Sequence, residues 1–194
     1  MGEVSDKVEG RDGNMRLDGS ASADVLDGGA GVGLIRYPSS VTGVIANFMA
    51  GFGSEGAATA DGYTLPEHEA GPTYNDTLVG NETCVLLDAG AGDDAIGSYS
   101  AGGTHICGGA GNDGLWDLRT GSHTLEGGDG HDTLDGGAGA DVPDGGAGVD
   151  LIGYESAAFW VIVNLMSGSG SAGDANGDQY TSIEQVTGSA HNDT

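Results

Sequence analysis

GGAGNDGLW (Gly108–Trp116), GGDGHDTLD (Gly127–Asp135), GGAGADVPD (Gly136–Asp144) and GGAGVDLIG (Gly145–Gly153) share one nine-residue pattern, Gly-Gly-x-Gly-x-Asp-x-apolar-x. Glycine reaches left-handed and mirror-β conformations at little cost, so three glycines in six positions predict a tight turn with inward-pointing carbonyls. The aspartate at position six adds a hard anionic oxygen. Carbonyl and carboxylate oxygens are the donors that Ca²⁺ takes, in sets of about six to eight. The apolar residue at position eight reads as the inward-facing member of a short strand whose neighbours point out. A strict nine-residue period with regular apolar positions also argues against a disordered acidic tail.

These nonapeptides resemble the RTX, or haemolysin-type calcium-binding, repeats. The resemblance implies an all-β fold, a right-handed parallel β-roll or β-solenoid in which two nonapeptides make one turn. Several Ca²⁺ ions would then lie between stacked GGxGxD turns two repeats apart. It implies candidate metal ligands at Asp76, Asp94, Asp113, Asp132, Asp141 and Asp150. The turn glycines Gly109, Gly111, Gly128, Gly130, Gly137, Gly139, Gly146 and Gly148 join them. It also implies a secreted or cell-surface bacterial protein that leaves by type I secretion, guided by an uncleaved C-terminal signal.

Outward from the intact block, the sixth positions are Asp6, Met15, Asp24 and Gly33 before a longer segment. After it come Asp76, Val85, Asp94, Gly103 or Thr104, Asp113, His123, Asp132, Asp141 and Asp150. Loops on one side come from alternate repeats. Asp76, Asp94, Asp113, Asp132 and Asp150 then share a side, spaced 18, 19, 19 and 18 residues apart. Val85, Gly103 or Thr104, His123 and Asp141 share the other, where only Asp141 offers a carboxylate. An isolated turn aspartate most often bonds its own backbone. Five in register predict a one-sided column of calcium sites, because strands about 4.8 Å apart let successive carboxylates share an ion.

Shifted by 117 residues, the sequence matches itself. Asp18–Thr77 aligns with Asp135–Thr194 without a gap, with 33 of 60 positions identical. This predicts degenerate repeats over 1–36, a longer intervening solenoid segment over 37–70 and the main repeat block over 71–153. A duplicate intervening segment follows over 154–187, and a further repeat starts at 188–194. In the second intervening segment Tyr180, Ile183 and Val186 are expected to face a continuing core. Their counterparts are Tyr63, Pro66 and Glu69, which predicts a looser first copy. The chain stops at Thr194 inside a repeat, so it reads as part of something longer.

Forty glycines and a formal charge of −25, from 30 acidic and five basic residues, describe a chain that repels itself without counter-ions. No basic patch is available for nucleic acid. No apolar run approaches the roughly 18 residues needed to span a bilayer, so membrane insertion is not expected. MGEVSDKVEG lacks the basic start and apolar core of a Sec signal. Two cysteines, Cys84 and Cys107, make no disulfide framework; the sequence leaves a bridge between them open, with two unpaired thiols as the simpler reading.

The sequence has no HExxH and no GxSxG, so the catalytic motifs of RTX-bearing proteases and lipases are absent and no enzyme activity is expected of it. GFGSEG (Gly51–Gly56) and GSGSAG (Gly168–Gly173) match GxGxxG, but no helical pattern follows either. DANGD (Asp174–Asp178) resembles the start of an EF-hand loop, with Gln185 at position twelve in place of Glu, a weak extra ion site at best. Trp116, Phe159 and Trp160 read as core or rim packing. The leading expectation is a non-catalytic module that folds on calcium. The alternatives are the repeat module of a larger extracellular protease, lipase or alginate epimerase, and a segment of an adhesin or surface-layer protein.

Overall fold

The computed structural model describes residues 7–9, 15–27, 33–59, 61–64, 68–117 and 119–194; Asp6, Pro66 and residues 28–32 lie outside them. Each nonapeptide supplies one short strand, because the alternating apolar pattern ends at each glycine turn. Successive strands of the repeat blocks fall alternately into two sheets, of eleven and seven strands among the described residues. In the main block Thr77–Val79, Ala95–Ser98, Gly114–Asp117, Thr133–Asp135 and Leu151–Gly153 lie side by side in the first sheet, all parallel. Leu86–Ala91, His105–Ala110, Thr124–Gly130 and Val142–Gly148 do the same in the second. Two nonapeptides therefore make one turn of a parallel β-solenoid. Among the described residues no helix is long and apolar enough to cross a membrane.

Register builds the core. Leu115 pairs with Ile96 and Leu134, and Ile106 with Leu87 and Leu125. All six are fully buried, and each stands two residues after the sixth position of its repeat. Position eight thus fills the interior. Each such burial contributes about 1.5–3 kcal/mol. Only one aliphatic residue per nine takes part, so the core is a narrow ladder and the turns must carry much of the cohesion.

The segment 37–70 widens one turn. Ile45–Asn47 pairs parallel with Thr77–Val79, Phe52–Glu55 runs back antiparallel, and Gly62–Thr64 pairs parallel with Val25–Asp27. His68–Ala70 then rejoins the second sheet between Gly33–Arg36 and Leu86–Ala91. The duplicate lands on the opposite side. Gly33–Arg36 lies in the second sheet, whereas its match Leu151–Gly153 lies in the first. Val25–Asp27 lies in the first, and its match at the start of Val142–Gly148 in the second. The 117-residue unit therefore advances the solenoid by a half-integral number of turns. The second hairpin, Ile162–Asn164 with Ser169–Ala172, is accordingly followed by Thr181 bridging to Asp144 on the second sheet.

Three side chains depart from expectation. Val186 pairs with Ile152 but is 44% exposed, because its strand is the outermost of the first sheet. Phe159 and Trp160 are 68% and 49% exposed on the approach to Ile162–Asn164, outside both sheets. Tyr180, Ile183 and Tyr63 are buried.

Candidate calcium site

The turns that lead from the second sheet to the first end at Asp76, Asp94, Asp113, Asp132 and Asp150. In the turn from Gly127 to Asp132, Gly128 and Gly130 have φ of +118° and +146°, a backbone region closed to most side chains. Gly109, Gly111, Gly146 and Gly148 repeat this conformation. The first glycine is required for a different reason. A Cβ on Gly127 would overlap Asp132 Oδ2 and lie 2.6 Å from the Gly145 carbonyl oxygen. Gly108 stands in the same relation to Asp113 Oδ2 and the Gly127 carbonyl. Carboxylate and carbonyl oxygens from adjacent turns thus converge on a cradle that only glycine leaves open.

The aspartates form a continuous ladder. Asp94 Oδ1 accepts the Asp76 backbone N–H at 2.7 Å. Asp113, Asp132 and Asp150 accept those of Asp94, Asp113 and Asp132, each at 2.8 Å. Val44 N–H donates to Asp76 Oδ1 at one end, and Asp150 N–H donates to Glu184 Oε2 at the other. The second oxygen behaves differently. Oδ2 of Asp76, Asp94, Asp113, Asp132, Asp141 and Asp150 is buried and has no hydrogen-bond partner. These include all six aspartates singled out in the sequence; Asp117 Oδ2, which was not singled out, is a seventh such oxygen among the described residues.

A buried, unpaired carboxylate oxygen is costly. Burial pushes Asp76 and Asp141 up to about 7, and Asp113 and Asp132 up to about 6. The backbone N–H bonds to Oδ1 oppose this, and neighbouring carboxylates add to it, Asp94 on Asp76 and Asp178 on Asp141. Asp94 is raised for the same leading reason. The orphaned Oδ2 atoms, the glycine cradles and the facing carbonyls form an all-oxygen anionic donor set. That set fits a hard divalent cation, which would supply the missing charge.

The opposite column is filled differently. Thr104, not Gly103, occupies the sixth position: its N–H donates to His123 Nδ1 at 3.2 Å. Ser98 Oγ donates to Thr104 Oγ1, which donates to the Cys84 carbonyl. His123 N–H donates to Asp141 Oδ1, and Asp141 N–H to Asp178 Oδ1, both at 2.8 Å. Asp117 Oδ2 lies 3.6 Å from His123 Nδ1 in a fully buried pair. The Thr104 hydroxyl and the His123 imidazole therefore stand where the other column has carboxylates, while Asp141 keeps one. Of the glycines named on this side, Gly137 has φ of +72°, while a Cβ on Gly139 would overlap the Gly121 carbonyl.

Sequence reasoning missed Asp61, Asp178 and Glu184. The ladder neighbour of Asp24 is neither Met15 nor Gly33 but Asp61, brought in by the longer segment: Asp24 N–H donates to Asp61 Oδ1 at 2.7 Å. Asp61 Oδ2 accepts Tyr37 Oη–H at 2.9 Å, and Asp178 Oδ2 accepts Tyr154 Oη–H at 2.6 Å. Tyr63 and Tyr180 each lie 2.6 Å from the matching tyrosine oxygen. Asp178 thus spends both oxygens on protein donors, and Gly173–Ala175 is a 3₁₀ turn, not the start of an EF-hand loop. The Asp24 carboxylate accepts both serine hydroxyls of GSASAD, from Ser20 at 2.9 Å and Ser22 at 3.0 Å. The duplication held the signal, since Tyr37, Asp61, Tyr63 and Glu67 recur as Tyr154, Asp178, Tyr180 and Glu184. Cys84 and Cys107 are not joined by a disulfide, and Cys84 is buried. Burial, then Glu126 and Asp88, push Cys107 up to about 12.

Against known proteins, the model of the RTX calcium-binding nonapeptide repeat matches four copies over residues 2–35, 73–98 and 120–152. The chain carries RTX calcium-binding nonapeptide repeats, and repeats of that family imply that it binds Ca²⁺. No curated protein matches it.

Proposed function

We propose that this chain is a non-catalytic module of a secreted or surface bacterial protein that folds when it meets calcium outside the cell. The proposed ligands are Asp76, Asp94, Asp113, Asp132 and Asp150 along one edge, with the turn carbonyls at Gly109, Gly111, Gly128, Gly130, Gly146 and Gly148. Asp141, with Gly137 and Gly139, is the one candidate on the other edge. The observation that carries this reading is the orphaned Oδ2 of all six aspartates.

Calcium, when bound, supplies the positive charge that these oxygens lack. Each aspartate otherwise holds two turns together through Oδ1 while aiming a second buried charge at its neighbours. At −25, with a core one aliphatic residue deep per repeat, the chain has little to set against that repulsion. Metal-binding energy becomes folding energy. A low-calcium cytoplasm would leave the chain extended for export, and the outside medium would fold it.

Far-UV circular dichroism with and without calcium tests this. The chain gains β structure on adding calcium and loses it on chelation. Full β content at neutral pH in chelator would contradict the proposal.

A further inference from the structure

We infer that the outer face of the second sheet carries a site for a thiophilic divalent metal of the zinc class, built from His105, Cys107 and Glu126. It lies on the flat of the sheet, on donors that neither aspartate column uses. Parallel register assembles it. Cys107 stands directly opposite Glu126 on the strand Thr124–Gly130. His105 lies two residues before Cys107 on His105–Ala110, so both side chains leave the same face. One donor atom from each residue falls within 4.8 Å of the others.

The contact geometry favours a shared ion over a simple ion pair. His105 Nε2 lies 3.0 Å from Glu126 Oε1, yet it is buried without a hydrogen bond. The two atoms approach without lining up as donor and acceptor. Cys107 Sγ lies 4.0 Å from Glu126 Oε2. In a tetrahedral zinc site, bonds of about 2.0–2.3 Å put ligand atoms roughly 3.3–3.5 Å apart. Side-chain shifts of about 1 Å or less would therefore close the set, and the partly exposed His105 and Glu126 are free to make them. Asp88 faces Cys107 from the neighbouring strand Leu86–Ala91 and offers a fourth donor; water is the other.

Donor chemistry separates this site from the calcium columns. Thiolate and imidazole select zinc-class metals, whereas Ca²⁺ takes oxygen. The bound metal would pin two successive solenoid turns, because its ligands come from His105–Ala110 and Thr124–Gly130.

Cobalt(II) chloride titrated into the calcium-saturated full chain tests the inference, since Co²⁺ reports thiolate ligation optically. The expected result is a near-ultraviolet thiolate-to-cobalt band with tetrahedral visible bands, saturating at one equivalent and resisting excess calcium. Cys107→Ser abolishes the band. His105→Ala and Glu126→Gln weaken binding by about tenfold or more, since even outer-shell changes cost about 10–100-fold. The calcium-loaded far-UV spectrum stays unchanged in all three. No thiolate band in the unaltered protein, or one that survives Cys107→Ser, would overturn the site. If a variant fails to fold, alkylation of Cys107 in the unaltered calcium-loaded protein decides: protection by zinc supports the site, and an unchanged rate overturns it.

Discussion

Asp132 Oδ1 accepts the Asp113 backbone N–H at 2.8 Å, while Oδ2 of the same carboxylate is buried with no partner. One oxygen joins two turns; the other is held beside the Gly127 cradle. The same division recurs at Asp94, Asp113 and Asp150, so turn stacking and charge placement depend on the same side chains.

Asp132→Ala removes a carboxylate facing two inter-turn spaces and strands the Asp113 N–H, worth about 1–3 kcal/mol by itself. The calcium midpoint of folding should rise about tenfold or more, since tenfold corresponds to about 1.4 kcal/mol. Asp24→Ala should move it far less, because Ser20 and Ser22 already occupy that carboxylate. Circular dichroism titrations of both variants check this. An equal or larger shift for Asp24→Ala would contradict the assignment.

Gly127→Ala should be severe. Its Cβ would overlap Asp132 Oδ2 and crowd the Gly145 carbonyl, so the carboxylate must move. Gly62→Ala is the control, with nothing within 4 Å of the added carbon. The expected outcome is a raised calcium midpoint for Gly127→Ala and a near-unchanged one for Gly62→Ala. Equal midpoints would show that the cradle has no role in binding.

Protons should compete with calcium. Without metal, burial raises Asp76, Asp113, Asp132 and Asp141 to between about 6 and 7 in the folded chain, against roughly 3.9 for an unfolded aspartate. The folded state therefore holds these protons more tightly. Their stabilisation of the metal-free fold is complete below about pH 3.9 and is lost as pH rises through about 6–7. Metal-free protein should accordingly show more β structure at pH 4 than at pH 7.5. The calcium midpoint should rise between pH 7.5 and 5.5. A midpoint flat across that range would mean the carboxylates titrate normally.

The strands and the main column were legible because a nine-residue period fixes which residues face inward and which turns stack. Leu115 and Asp113 both followed from counting. The ends of the columns were not legible. Asp61 meets Asp24 across 37 residues, and Glu184 meets Asp150 across 34, through segments that do not keep the period. The half-turn phase between the duplicated segments was hidden for the same reason: how many turns a long segment uses depends on its strand pairing, not on its length. Gly103 and Thr104 could not be told apart by counting, because a nearby insertion blurs the register. The hydrogen bond from the Thr104 N–H to His123 distinguishes them.

The most direct measurement is anomalous scattering from ions in crystals grown with calcium. The account predicts peaks in a column beside the Oδ2 atoms of Asp76, Asp94, Asp113, Asp132 and Asp150, with none beside Val85, Thr104 or His123. Equal peaks on both edges, or none within coordinating distance of those Oδ2 atoms, would contradict it.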